Sequence, residues 1–259
     1  MARFQNIAFT CSEKPEAKDA LQAMKRLYGN CDASAADVLV PLGGDGFMLS
    51  TLRRHLPLLR RGLPIYGMNR GTVGFLMNEY REDGLLERIG AAKRERINPL
   101  LMNATNARGD TLTAYALNEV SVFRQSYQAA KLRITIDGKP RLDELVCDGA
   151  MVASPAGSTA YNLSAGGPII PISAPLLALT PVSPFRPRDW RGALLPNRVE
   201  VQFDTLDPEK RPVNAVADHM EVKSVLTVTV REDQDRSAVL LFDRDHSWDE
   251  RILREQFGM

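Results

Sequence analysis

The stretch Val38–Gly46 reads VLVPLGGDG and decides the fold. Asp37–Leu42 (DVLVPL) is a short apolar run of the kind that forms a strand buried on both faces of a parallel sheet. Gly43–Gly46 breaks the run. Phe47–Leu59 then places Met48, Leu49, Leu52 and Leu56 on one helical face, with Pro57 expected to bend or end the helix. Upstream, Asn6–Phe9 (NIAF) reads as a strand. Ala17–Leu27 reads as a helix with Ala20, Leu21, Met24 and Leu27 on one side. Downstream, Leu63–Gly67 (LPIYG) is the next strand. Strand, helix, strand, helix, strand implies βαβ units, so residues 1–97 are expected to form an α/β domain with a Rossmann-like parallel sheet.

After Ile97 the pattern changes. Leu112–Phe123, Lys131–Ile136, Val199–Phe203, Val213–Ala217, Val225–Val230 and Ala238–Phe242 are strand-like, without helices between them. Asp137-Gly138 is a hairpin signal. A β-rich, sandwich-like domain is expected over 98–235. Trp248–Phe257 looks like an amphipathic helix, with Ile252, Leu253 and Phe257 apolar. Arg186–Arg191 (RPRDWR) reads as an exposed loop.

Composition bounds the function. The chain has 259 residues, 44 % of them hydrophobic and 25 % charged, which excludes disorder as the main state. The net charge of +1 argues against duplex DNA or an anionic membrane as partner, so neither nucleic acid nor membrane binding is expected. Three scattered cysteines, with no C-x-x-C pair, argue against a disulfide framework and for a reducing cytosol. His55 and His246 have no partner at ligand spacing, and no metal site is expected in the protein itself. Met1–Thr10 runs into charged Glu13–Asp19 with no apolar core of a signal peptide, so a cytoplasmic location is expected.

Several segments carry chemistry. Gly43, Gly44 and Gly46 let a ligand approach the backbone and expose amide N–H groups at a helix N-terminus, a cradle for phosphate. Asp45 is out of place beside phosphate unless it meets an attacking hydroxyl or a magnesium ion. The plain alternative is a tight turn with Asp45 as an ordinary N-cap. Those four residues alone do not choose.

Asn118-Glu119 interrupts the apolar run Tyr115–Phe123 (YALNEVSVF). Neighbours on a strand face opposite sides, so both reach one ligand only at a strand end or bulge. The pair suits vicinal ribose hydroxyls. The alternative is an edge strand with Glu119 in water.

Asp148–Gly167 (DGAMVASPAGSTAYNLSAGG) is small, hydroxylated and opens a long run. No Asp, Glu, Lys or Arg stands between Asp148 and Arg186. Its many prolines and glycines exclude a membrane helix. Ser158, Thr159, Tyr161, Asn162 and Ser164 offer hydrogen bonds in a neutral pocket that fits a nucleobase, and Asp148 fits a second ribose or an amide. A glycine-rich packing loop is the alternative. In Asn69–Asn78 (NRGTVGFLMN), Phe75 beside Gly71 and Gly74 is placed to stack on a base or to fill the core. His219 in Ala217-Asp218-His219 carries little weight by itself.

Gly43-Gly44-Asp45-Gly46, Asn118-Glu119 and Gly157–Pro168 (GSTAYNLSAGGP), in this order, resemble the NAD kinase family, as does Gly71–Leu76. The likeness runs from about Asp37 to His219. It implies a kinase that moves a phosphoryl group from ATP, or in some members polyphosphate, to the 2′-hydroxyl of the adenosine ribose of NAD, with Mg2+ or another divalent cation accompanying ATP. By position, Asp45 is the implied base. Gly43, Gly44 and Gly46 meet the ATP phosphates. Asp45, Gly46, Phe75, Asn118, Glu119, Asp148, Ala156, Ser158, Thr159, Ala160, Tyr161 and Ser164 meet NAD. Asn118 and Glu119 hold its adenosine part, and Asp148 holds its nicotinamide end. The resemblance also implies that 236–259 packs back on the first domain, and that the assembly is a homodimer or homotetramer. The chain departs from the family at Val146, where many members carry Arg or Lys, and at Ala156, where many carry a hydroxyl.

Two other readings compete. A lipid kinase of the diacylglycerol type shares the GGDG loop but needs an apolar or basic membrane-facing surface. A non-catalytic dinucleotide-binding regulator has no need of Asp45.

Overall fold

The structure, a computed structural model, describes residues 4–55, 58, 61–71, 75–244, 250, 252–253 and 257. Pro57, Thr72–Gly74, His246 and most of Trp248–Phe257 lie outside these. The chain divides into two compact units, Met1–Ile97 with Asp235–Met259, and Asn98–Gln234.

The first unit is α/β. Its elements are β1 (Ile7–Cys11), α1 (Pro15–Tyr28), β2 (Val38–Gly43), α2 (Asp45–Arg54), β3 (Pro64–Ile65), β4 (Met68–Asn69), α3 (Leu85–Ala91) and β5 (Lys93–Ile97). The order β1-β2-β3 is extended by a returning strand, Ala238–Phe242, and then β5, while β4 also pairs with β2. β1, β2, β3 and the returning strand run parallel, but β5 is antiparallel, so the sheet is mixed rather than uniformly parallel.

All six positions of β2 are buried, as a strand covered on both faces requires. α1 buries Ala17, Ala20 and Met24. Leu27, expected on that face, is 54 % exposed. Tyr28, four residues beyond Met24, packs on the core instead and donates its hydroxyl to the Glu82 carbonyl at 2.7 Å.

The returning strand is clipped by Asn78, which is fully buried. Its amide donates to the carbonyls of Gly67 (3.1 Å) and Leu241 (2.9 Å), and its oxygen accepts from Asp243 N–H at 2.9 Å. Tyr66 donates to Asp243 at 2.6 Å, and Arg88 pairs with the same carboxylate. Burial and that carboxylate hold the Tyr66 phenol protonated, far above its ordinary range.

The second unit is all-β apart from one helical turn. Its strands are β6 (Leu100–Asn106), β7 (Thr111–Ala116), β8 (Glu119–Arg124), β9 (Ala130–Ile136), β10 (Lys139–Cys147), β11 (Gly149–Ala153), β12 (Leu176–Val182), β13 (Ala193–Pro196), β14 (Val201–Thr205), β15 (Val213–Ala217), β16 (Met220–Val222) and β17 (Val225–Glu232). They form two six-stranded sheets, β10-β9-β14-β17-β6-β7 and β13-β12-β11-β8-β15-β16. Leu132, Ile134, Phe203 and Val228 from one sheet share a single core with Val120, Val122, Val152 and Leu179 from the other, which makes a sandwich. Asp137 (φ 49°) and Gly138 (φ 72°) turn β9 into β10 with two residues, the left-handed pair that a tight hairpin needs.

The long uncharged run has a partly structural cause. It contains β11, buried at every position, and β12, buried at all but its ends. A charge on either strand would be desolvated without a partner.

Candidate functional site

One candidate site, in the first unit, sits at the carboxyl ends of β1, β2 and β4, where open α/β sheets bind ligands. Gly44, not Asp45, caps α2, and it does so without a side-chain bond. Asp45 is the first helical residue and is not an N-cap. Its carboxylate reaches away from the helix: Oδ2 accepts the N–H of Phe75 at 2.6 Å and Oδ1 that of Leu76 at 3.0 Å. A carboxylate has further lone pairs, so Asp45 can still accept a hydroxyl.

The three glycines differ. None has the left-handed backbone that favours glycine. A Cβ on Gly43 would stand 2.9 Å from the Phe47 ring, so packing explains that residue. Among the described residues, a Cβ on Gly44 or Gly46 would meet nothing within 4 Å. No internal contact demands glycine there.

Lys14 was not singled out by the sequence. Its Nζ lies 3.7 Å, and the Cα of Gly44 3.8 Å, from the point a Cβ on Gly71 would occupy. The ammonium has no ion-pair partner among the described residues. Close by in sequence, the Oγ of Ser12 at the end of β1 is buried without a hydrogen-bond partner. A lysine just past the first strand was the available signal, but sequence spacing does not say that β1 and β2 are neighbours.

A second candidate site, in the other unit, is built on a break. Tyr115–Phe123 is not one strand: β7 ends at Ala116 and β8 starts at Glu119. Leu117 and Asn118 keep every backbone polar group satisfied. Both N–H groups donate to Asp218, Leu117 to Oδ2 at 2.9 Å and Asn118 to Oδ1 at 3.0 Å. Both carbonyls are met by Ser154, through its Oγ at 2.6 Å to Leu117 and its N–H at 2.9 Å to Asn118. Gly157 closes in so tightly that a Cβ there would overlap the Asn118 carbonyl. Asn118 and Glu119 thus stand at a strand end, one of the two arrangements in which adjacent residues can meet one ligand.

Glu119 is half-buried, and its Oε2 is buried with no hydrogen-bond partner among the described residues. Desolvation, reinforced by the Asp218 charge, pushes its carboxyl up to about 7.

The glycine-rich segment divides its polar groups. Ser158 is fully buried; its hydroxyl donates to the Pro155 carbonyl (2.7 Å) and accepts the Ile170 N–H (3.0 Å). Asn162 is equally buried, bonded to the Ser158 and Pro168 carbonyls and to Thr180. These two hold the loop. Ala156 is buried, Thr159 and Ala160 are half-buried, and Tyr161 and Ser164, on the single turn α4 (Tyr161–Ser164), are exposed. The Tyr161 ring lies 5.8 Å from that of Phe123, tilted by 42°. Phe123 was missed because it reads as an ordinary strand residue. Asp148 is ion-paired with Arg124, Nε to Oδ1 at 2.6 Å, so a guanidinium stands on this carboxylate in a chain whose residue 146 is valine.

The class is therefore a two-unit chain, an α/β unit with a carboxylate past a glycine turn and a β-sandwich with a buried, unpartnered carboxylate at a strand break. Residues 117–242 match the family model described as ATP-NAD kinase C-terminal domain. The chain is 62 % identical over 252 residues to an NAD kinase of Mesorhizobium japonicum, covering 97 % of each. It is 58 % identical over 259 residues to one of Rhizobium meliloti, covering 100 % of each. The chain belongs to the NAD kinase family. Among solved structures it resembles yeast NADH kinase complexed with NADH (TM-score 0.82, 20 % identity, 100 % of this chain and 89 % of that one). It also resembles an NAD kinase from Archaeoglobus fulgidus in complex with ATP (TM-score 0.75, 25 % identity, 98 % and 97 %).

Proposed function

We propose that this chain transfers the terminal phosphoryl group of ATP to the 2′-hydroxyl of the adenosine ribose of NAD, giving NADP. The observation that carries this reading is the carboxylate of Asp45, held by two backbone amides next to Gly44 and Gly46, above which a Cβ would meet none of the described residues within 4 Å.

Phosphoryl transfer asks the protein mainly for position and charge neutralisation. Asp45 accepts the proton of the 2′-hydroxyl as that oxygen attacks phosphorus. Gly43, Gly44 and Gly46 offer backbone approach to the triphosphate, and the Lys14 ammonium supplies positive charge beside Gly44. Asn118 and Glu119 hold the adenosine part. For Glu119, substrate hydroxyls would supply the donors that its buried Oε2 lacks. Thr159, Ala160, Tyr161 and Ser164 line the adenine, with Ala156 and Ser158 shaping the wall from beneath and Phe75 near the ring. Asp148 serves the nicotinamide end.

Residues 1–97 serve the phosphates and 98–235 the dinucleotide, and 236–259 complete the first domain. Magnesium or another divalent cation belongs in this reading to the triphosphate. Among the described residues no group of three or more His, Cys, Asp or Glu is arranged to hold a metal, and no step is assigned to one.

A cytosolic location accords with three free cysteines whose thiols burial pushes up, that of Cys147 to about 12. Among the described residues no helix is long and apolar enough to cross a membrane. A homodimer or homotetramer accords with the exposed Leu194 on edge strand β13 and the exposed Phe185.

The test is direct. Magnesium-ATP with NAD is expected to yield a product phosphorylated at the adenosine 2′ position, and magnesium-ATP with diacylglycerol is expected to yield none. Tight NAD binding without ATP turnover would leave only a regulator.

A further inference from the structure

The turn between β15 and β16 consists of Asp218 and His219, since Ala217 pairs directly with Met220. Asp218 has φ of 52°, a left-handed conformation that L-residues rarely adopt and that asparagine and aspartate tolerate best. That backbone sends its carboxylate to Leu117 and Asn118, where each oxygen takes one amide. The Asp218 N–H returns to the Glu119 carbonyl at 3.2 Å. The turn therefore grips three consecutive residues at the break. Without it, two N–H groups outside any ladder would have no side-chain acceptor.

We propose that Asp218 is a positioning residue for NAD: its carboxylate holds the break between β7 and β8 open in the one geometry that presents Asn118 and Glu119 together. This rests on the reading of the function given above. Asp218 binds the backbone of Leu117 and Asn118, and it is through these neighbours that it acts. It also acts electrostatically. Opposite Glu119 on β11 is Ala153, followed by Ser154, both neutral. β15 contributes Ala217 and then the Asp218 charge; His219, the other titratable group of the turn, is exposed. Among the described residues the negative charge facing Glu119 is thus that of Asp218, and it adds to the upward push on the Glu119 carboxyl.

The experiment compares the full-length chain with Asp218→Asn and Asp218→Ala. Kinetics are measured with each substrate varied, and NAD affinity is measured by calorimetry across pH 5–9. Asp218→Ala removes both acceptors and is expected to raise KM for NAD about tenfold or more, with KM for ATP within about twofold. Asp218→Asn keeps one acceptor oxygen without the charge. It should recover part of the NAD affinity and carries the test should the alanine variant not fold. In wild type, NAD affinity should fall as pH drops through about 7, where Glu119 takes up its proton. In Asp218→Asn that fall should move to lower pH, because a repelling charge is gone. Equal weakening of both substrates, or an unmoved pH midpoint in a folded Asp218→Asn, would overturn the proposal. A wild-type chain that leaves NAD unphosphorylated would instead defeat the reading of function.

Discussion

Two carboxylates of this molecule, one in each unit, are held in opposite ways. Asp45 opens the helix that follows a parallel strand and is satisfied at rest by two backbone amides. Glu119 begins an antiparallel strand, is half-buried, and leaves one oxygen without a donor. Charge-assisted bonds fix a group without cost, whereas a desolvated, unpaired carboxylate makes the empty protein less stable. The contrast fits a division of labour. A base must be in place before chemistry, and a binding group gains most when the ligand relieves its strain.

The largest effect should come from removing the proposed base. Asp45→Asn is expected to lower kcat by about 10²–10⁴-fold with little change in NAD affinity, since a general base contributes roughly that factor. Single-turnover kinetics with saturating NAD separates the chemical step from binding. Near-normal turnover would break the comparison at its first member.

Glu119→Gln should act on binding and stability together. Losing the anionic acceptor should weaken NAD binding about 10–100-fold by calorimetry. The stability effect has the opposite sign. Glu119 titrates near 7 when folded, above its ordinary 4.5, so the native state binds more protons than the unfolded state between those values. Wild type therefore loses stability as pH rises through that window, and the loss is complete above about 7. Glutamine removes it. Ligand-free Glu119→Gln should be more stable at pH 8 by about 2–3 kcal/mol and indistinguishable from wild type near pH 4. Thermal melts at the two pH values decide this, and an equal shift at both would mean that packing rather than charge is responsible.

The halves were not equally legible in the sequence. The glycine turn declares itself because strand, turn and helix are contiguous, and the apolar run at Val38–Leu42 is long enough to be read without context. The partners of Asp45 were out of reach, because the amides of Phe75 and Leu76 come from another connection. At Asn118-Glu119 the residue types revealed the chemistry, and the need for a strand end was deduced from side-chain alternation. What makes the strand end, Asp218 about a hundred residues away and Ser154 in the glycine-rich segment, depends on sheet order. For the same reason Ser158 and Asn162 were read as facing a ligand: a hydroxyl in a glycine-rich run looks available until the fold closes around it. Asn78 carries no signal in the sequence, although its three bonds clip the returning strand in place.

The smallest effect tests the turn itself, through two glycines adjacent in sequence. Gly43→Ala pushes a methyl against Phe47, at 2.9 Å, so the first turn of α2 must shift. Overpacking of this kind costs about 1–3 kcal/mol and should appear in denaturant melts. Gly44→Ala adds a methyl that meets nothing within 4 Å, at a φ of −115° that alanine adopts freely. Its folding stability should stay within about 0.5 kcal/mol of wild type or rise slightly, because alanine restricts the unfolded chain. If the space over Gly44 is where the triphosphate lies, KM for ATP should nonetheless rise about three- to tenfold while KM for NAD stays near its wild-type value. A folded Gly44→Ala with unchanged KM for ATP would move the phosphates off this glycine and leave the turn as a device for placing Asp45 alone.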